Sequence, residues 1–202
     1  LALVESKAYL DYREKDQLAS AFCNDSFTFN QMACSSPRLV CWVGDKKNTE
    51  AAQADFWQRV QQRVVVQKPD ISSAGLLDKY LSQCIYSAEV AGVEVIPTET
   101  RYVMRIQLPD TDSVERSLHK GNGVFLELRL EQLDDLLELL QRKDQTLSVF
   151  GFSESVLRTF ISTNLPVGID RIVPFGEALN FSPVWDGYDL LSEFTRLVTV
   201  KL

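Results

Sequence analysis

Histidine is nearly absent from this sequence: one imidazole, His119, stands in 202 residues. It falls in a polar stretch, Ser117-Leu118-His119-Lys120-Gly121, and reads as an exposed, uncommitted side chain. Without histidine or cysteine neighbours it lacks the co-ligands of a metal site, so no metal is expected. A Cys–His pair would require the fold to return it to a thiol. The four cysteines, at 23, 34, 41 and 84, form no C-x-x-C pair and no metal-like spacing. So few thiols in a chain this long argue against a disulfide framework and for a reduced, cytoplasmic setting. Lys/Arg clusters are missing and the net charge is −7, which excludes phosphate-driven nucleic-acid binding. No apolar run approaches a bilayer span, Val64-Val65-Val66 being a short patch, and a signal-peptide pattern is not found. The protein is expected to be soluble. G-x-G-x-x-G and P-loop fingerprints are also lacking.

What is present is an ordinary globular composition, 45% hydrophobic, in a length that suits one domain. The opening Leu1-Ala2-Leu3-Val4 reads as a strand. Glu14 to about Phe27 reads as a helix with Asp25 at its polar exit, and Leu39–Val43 as a compact strand. Asn48 or Thr49 is expected to cap a helix through Val66 that ends before Pro69. Ser72 or Ser73 caps the next, whose apolar residues Leu77, Tyr80, Leu81, Cys84, Ile85 and Ala88 recur at helical spacing and predict the buried face. Gly92 is expected to end it. Strands follow at 93–96, 102–108 and 124–130, then an amphipathic helix on Leu133, Leu136, Leu137 and Leu140. A strand at 147–150, a helix from Ser153 to about Thr163, a strand at 169–173 and a last helix from Asp186 to about Val198 complete the chain. The regular strand–helix alternation after residue 124 predicts an α/β fold of three layers, a largely parallel sheet with helices on both faces.

The stretch that carries chemistry is Phe27–Gly44, FTFNQMACSSPRLVCWVG. Cys34 stands in a loop of small residues, Ala33, Ser35 and Ser36, closed by Pro37 and followed by the Leu39–Val43 strand. Small neighbours let a substrate carbonyl approach, and free peptide N–H groups hold an oxyanion. A buried inert thiol is the alternative that composition alone favours. Cys23, Cys41 and Cys84 lie on apolar faces and read as small core residues.

Phe29-Asn30-Gln31-Met32-Ala33-Cys34-Ser35-Ser36-Pro37 resembles the nucleophile segment of the LuxC-type acyl-CoA reductases, fatty acid reductases of the aldehyde dehydrogenase superfamily. Asp170-Arg171-Ile172-Val173-Pro174-Phe175-Gly176, continuing through Leu179-Asn180-Phe181 to Val184-Trp185-Asp186-Gly187-Tyr188-Asp189-Leu190, fits the same family and in its order. Gly121–Phe125 and Gln145-Thr146-Leu147 are weaker echoes.

The resemblance implies an aldehyde dehydrogenase catalytic-domain fold over residues 1–202. It implies the carboxy-terminal, catalytic-cysteine domain of a longer reductase whose nucleotide-binding domain, and with it most of the NADPH site, lies outside this chain. Cys34 would attack the thioester of a long-chain acyl-CoA or acyl-protein, and the acyl-enzyme would be reduced to a fatty aldehyde. An acyl-protein synthetase partner and a homo-oligomer are compatible with it. Asn30 and Gln31 would donate to the substrate or brace the loop, bracing being favoured; Ser35 belongs to the same oxyanion surroundings. Pro174 and Phe175 would border the active site. Glu127 would touch the cofactor ribose or stand as an exposed strand carboxylate. Trp185 and Tyr188 would clamp a helix that Asp186 caps, or line an acyl channel. Two other readings stay open: a cysteine acyltransferase without reduction, and a non-catalytic α/β interaction domain.

Overall fold

The computed structural model describes residues 1–201, so Leu202 of the expected domain range lies outside the described residues. Strands are β1 (Ala2–Glu5), β2 (Leu39–Val43), β3 (Glu94–Ile96), β4 (Met104–Gln107), β5 (Val124–Leu130), β6 (Gln145–Phe150) and β7 (Ile169–Pro174). They form one seven-stranded sheet in the order β3-β4-β5-β2-β1-β6-β7, parallel throughout except for the antiparallel β3–β4 pair. The expected three-layer, largely parallel α/β architecture is the observed one.

Helices cover both faces because the central strands alternate two apolar sets. On one face Ala2, Val4, Val40, Trp42 and Phe125 meet α1 (Ser6–Asp11), α2 (Lys15–Phe27) and α3 (Lys46–Gln67). Tyr9, Phe22, Phe56 and Trp57 from those helices pack edge-on against Trp42 and one another, the arrangement that ring quadrupoles favour. On the other face Leu3, Cys41 and the even-numbered residues of β5 meet α4 (Ser73–Glu89), a 3-10 segment (Leu133–Glu138) and α5 (Glu154–Asn164).

Several elements depart from expectation. Helix α1 is absent from the sequence reading, since six residues give too little periodicity to read. Asp45, not Asn48 or Thr49, caps α3, its carboxylate accepting the Asn48 N–H at 3.0 Å. Helix α4 is capped by Ser72, ends at Glu89 ahead of Gly92, and is turned over. Leu77, Tyr80 and Leu81 are 59, 57 and 46% exposed, and Cys84 is exposed too. The inner face carries Gly75, Lys79, Ser82 and Tyr86. Lys79 is buried because its ammonium donates to the carbonyls of Arg101 (2.7 Å) and Tyr102 (2.8 Å), a cost that burial of a leucine would not carry. The long last helix is replaced by a hairpin, β8 (Val184–Trp185) and β9 (Tyr188–Asp189), and a single turn, α6 (Leu190–Glu193). Asp186 and Gly187 take positive φ, 50° and 82°, the geometry of an Asp-Gly hairpin turn. Asp189 is the actual cap, accepting from Leu191 and Ser192. Among the described residues no helix is long and apolar enough to cross a membrane.

Candidate active site

The Cys34 loop leaves α2 and enters β2, so it lies at the amino-terminal edge of the parallel sheet. The starts of β1, β5 and β6 converge there. Gln31, which is completely buried, holds the loop to its neighbours. Its amide donates to the carbonyls of Pro37 (3.0 Å) and Val124 (2.7 Å), and its side-chain oxygen accepts the Gly123 N–H at 2.8 Å. Its backbone carbonyl accepts two guanidinium N–H bonds from Arg38. Asn30 donates its side-chain amide to the Asp70 carbonyl at 2.8 Å and its carbonyl accepts the Asn122 N–H. Both therefore brace, and both take positive φ (49° and 64°) to do so. No side-chain N–H of Gln31 is left for a substrate: both of its amide bonds are spent on carbonyls.

On this frame Cys34 is exposed, whereas Ser35 and Ser36 beneath it are buried. The Ser36 N–H closes a turn on the Ala33 carbonyl at 3.1 Å, and its hydroxyl donates to the Asp25 carbonyl at 2.8 Å. The peptide N–H groups of Cys34 and Ser35 have no acceptor among the described residues. Cys34 lines a pocket of about 270 Å³ whose wall includes the apolar Met32, Leu39 and Leu126 and the polar Arg38, Arg116, His119, Lys143 and Asp144. Arg116 is paired with Asp144 and donates to the Leu139 carbonyl at 2.6 Å.

The other thiols are placed differently. Cys23 and Cys41 are buried as expected, and burial pushes each thiol up to about 12. Cys84 is the exception, exposed on the outer face of α4. His119, expected in an exposed loop, is buried beside Cys34. Its Nε2 lies 2.8 Å from the Val124 carbonyl, and Nδ1 accepts the Gly121 N–H at 3.0 Å. That pair of contacts assigns the Nε2–H tautomer and uses both nitrogens. Burial depresses the imidazolium to about 4.

Glu127 is not an exposed carboxylate, and its burial closes it off from a cofactor ribose. It is completely buried. Its Oε2 accepts from Trp57 Nε1 (2.6 Å), Trp42 Nε1 (3.0 Å) and Gln53 Nε2 (3.0 Å), and its Oε1 from Arg105 Nε (2.6 Å). Pro174 and Phe175 do not line the Cys34 pocket. Phe175 is a core residue against Phe22, and Pro174 borders a separate groove beside α5. Trp185 stacks on Phe181 (5.5 Å) under the Arg171 guanidinium (4.1 Å), and Tyr188 is exposed.

Sequence reasoning missed Asp25, read as a polar helix exit. It is 1% exposed, and its carboxylate accepts the N–H groups of Gly176 (2.7 Å) and Ala178 (3.0 Å). Burial, only partly offset by those two bonds, raises the carboxyl to about 6. A signal existed: an acid one helical turn beyond Phe22 and two beyond Leu18, both buried, falls on the inner side of α2.

A family model described as acyl-CoA reductase (LuxC) matches residues 1–197. No curated protein matches the chain. Among solved structures it is similar to a point mutant of proline utilization A from Bradyrhizobium japonicum, with a TM-score of 0.60 and 13% identity over 91% of this chain and 20% of that one. It is similar to a point mutant of 1-pyrroline-5-carboxylate dehydrogenase from Thermus thermophilus, with a TM-score of 0.57 and 13% identity over 91% and 37%. The NAD-dependent benzaldehyde dehydrogenase of Corynebacterium glutamicum gives a TM-score of 0.53 and 15% identity over 85% and 37%. The chain thus spans between a fifth and two fifths of the length of these structures. At such identities the likeness carries the fold, that of aldehyde dehydrogenase catalytic domains.

Proposed function

The chain belongs to the LuxC family of acyl-CoA reductases, and from that premise we propose that it is the catalytic-cysteine domain of an NADPH-dependent long-chain acyl-CoA reductase with Cys34 as nucleophile. The observation that carries this reading is the setting of Cys34: exposed at a pocket, on a loop braced through Asn30, Gln31 and Ser36, with two peptide N–H groups that have no acceptor among the described residues.

In this reading the Cys34 sulfur attacks the carbonyl carbon of an acyl-CoA or acyl-protein thioester. The new carbon–sulfur bond forms as the carbonyl electrons move to oxygen, and the N–H groups of Cys34 and Ser35, which have no acceptor among the described residues, would donate to that oxyanion. Such a donor is worth on the order of 3 kcal/mol in other acyl-transfer enzymes. Collapse expels the carrier thiolate, which takes up the proton that Cys34 gave, leaving an acyl-enzyme thioester. His119 is not the base, because both its nitrogens are committed. Hydride reduction of that thioester to a fatty aldehyde is the chemistry a nicotinamide cofactor supplies. Glu127 does not fit such a ligand, so no residue of this chain is assigned to hold it. A nucleotide-binding domain elsewhere in the full-length protein would carry most of that site.

The test is intact-mass spectrometry of the full-length protein with a long-chain acyl-CoA and no nicotinamide. One acyl adduct is expected, mapping to Cys34 and discharged on addition of NADPH. An adduct that persists with NADPH makes the protein a cysteine acyltransferase. No adduct, with Cys34 inert to alkylation, overturns the catalytic reading.

A further inference from the structure

An α-helix leaves the carbonyls of its last turn without intrahelical partners, and at the end of α2 the chain around Cys34 supplies them. The Thr28 hydroxyl donates to the Asn24 carbonyl at 2.6 Å, the Gln31 N–H to Ser26 at 2.7 Å and the Asn30 N–H to Phe27 at 3.2 Å. The remaining carbonyl, that of Asp25, accepts the Ser36 hydroxyl at 2.8 Å. Of these four donors only Ser36 lies past Cys34, and its own N–H closes the Ala33–Ser36 turn in which Cys34 sits. The Asp25 side chain runs instead to the segment after β7, where its two oxygens accept from Gly176 (2.7 Å) and Ala178 (3.0 Å). That segment is itself fixed. The Glu177 N–H closes a turn on the Pro174 carbonyl at 3.2 Å, and Arg171 donates to the carbonyls of Ala178 and Asn180. One residue thus joins the edge strand of the sheet to the turn that carries the thiol. A buried carboxylate is a costly way to make two hydrogen bonds. Only its ionised form accepts both, since a proton turns one of the oxygens into a donor.

We propose that Asp25 and Ser36 are positioning residues for Cys34. The carboxylate docks the end of α2 on the turn after β7. The Asp25 carbonyl, through the Ser36 hydroxyl, then holds the Ala33–Ser36 turn with the thiol at the pocket and the Cys34 and Ser35 N–H groups free for an oxyanion. The inference rests on Cys34 being the acyl acceptor, and deepens it by naming what holds the acceptor in place; both residues act through the turn. Burial raises the Asp25 carboxyl to about 6 against the Gly176 and Ala178 N–H groups and the Arg171 charge, and Glu177 adds to the rise. Below that value the dock keeps one of its two bonds, so the hold on the turn is pH-dependent.

The test compares two reactions of the same thiol in the full-length protein, both read by mass spectrometry. Alkylation by iodoacetamide needs an exposed thiolate. Acyl transfer from palmitoyl-coenzyme A, without nicotinamide, needs the thiolate and the oxyanion donors of the turn. The ratio of the two rates at Cys34 cancels the thiolate fraction and reports the placement of the turn. Ser36→Ala is expected to lower that ratio about tenfold, and Ser36→Thr, which keeps the hydroxyl, to restore part of it. In the unmodified protein the ratio rises as pH increases through about 6. Asp25→Asn, which keeps the shape but not the second acceptor, holds the low ratio at every pH. Each variant decides on its own, so misfolding of one leaves the test standing. A role in stability alone would lower the urea midpoint of Ser36→Ala and leave the ratio of its folded form unchanged. An acyl adduct on Cys34 with a ratio unmoved by Ser36→Ala, and with one pH profile in the unmodified protein and Asp25→Asn, overturns the positioning role while Cys34 stays the acceptor. No adduct in the unmodified protein overturns the acceptor reading, and the positioning role with it.

Discussion

The Asp25 carboxylate accepts the Gly176 N–H at 2.7 Å across 151 residues of chain. Since the Asp25 carbonyl also accepts the Ser36 hydroxyl, the end of α2 clamps the Cys34 loop to the turn after β7. Gly176 has φ +93°, and a Cβ there would meet Ala21 at 3.0 Å, so the turn approaches α2 as closely as a side-chain-free residue allows.

That clamp is expected to titrate. The Asp25 carboxyl is raised to about 6 in the folded chain, from an ordinary 3.8, chiefly by burial. A raised folded value means that the native state holds the proton more tightly. The protonated group's contribution is complete below about pH 4 and is lost as pH rises through about 6. Asp25→Asn lacks this dependence. Its stability relative to the unmodified protein should therefore improve by up to about 3 kcal/mol between those pH values, read from urea unfolding of both proteins across the range. A difference that does not change with pH would show that Asp25 is ionised throughout.

Glu127 sets a second expectation. Four N–H donors from Trp42, Trp57, Gln53 and Arg105 point at one fully buried carboxylate. Removing it strands the Arg105 charge and both indole N–H groups. Glu127→Ala should cost about 3–5 kcal/mol in chemical denaturation, whereas Cys34→Ala, on an exposed loop, should change stability by less than about 0.5 kcal/mol. A loss below about 1 kcal/mol in Glu127→Ala would mean that water replaces the carboxylate.

These two acids mark the boundary of what the sequence revealed. Strand β5 was legible to the residue, Val124–Leu130, because apolar side chains alternate without a break. The parallel sheet followed from the strand–helix order. The loop that carries Cys34 was legible from its small residues and Pro37. The partners of Glu127 and Asp25 were not, because they lie 22–85 and about 150 residues away, and pattern reading treats a carboxylate as exposed. Helix α4 misled for the converse reason. Its apolar stripe is periodic, but the space beneath it is closed by Tyr86 and by the carbonyls that Lys79 meets, so packing of the polar edge prevailed over the helix's own pattern.

Lys79 supplies a third prediction, opposite in sign to that of Asp25. Burial lowers its ammonium from 10.5 to about 7, with the Arg101 charge contributing further. The unfolded chain then binds the extra proton between those values, so this group's contribution to stability rises as pH increases from about 7 toward 10.5. Lys79→Met has no such proton. The advantage of the unmodified protein over that variant should grow steadily across this interval, measured by denaturant unfolding. A constant advantage would mean that Lys79 stays charged on its two carbonyls.

His119 and Cys34 share a pocket, which invites the expectation of a catalytic pair, and the geometry argues against one. With Nε2–H directed to Val124 and Nδ1 receiving Gly121, no lone pair of His119 faces the thiol. Its imidazolium is depressed to about 4 by burial. The folded value lies below the ordinary one, so the stability contributed by the neutral ring is complete above about 6.5 and is lost as pH falls through about 4. Between about pH 5.5 and 8, then, His119 changes neither its charge nor the reactivity of Cys34. The iodoacetamide rate at Cys34 should follow one pH profile in the unmodified protein and in His119→Gln, whatever inflections other groups impose on both. The urea midpoints of the two proteins should converge below about pH 6 as the native ring's advantage is titrated away. An inflection near 6.5 that disappears only in His119→Gln would reverse the argument and make His119 the base that activates Cys34.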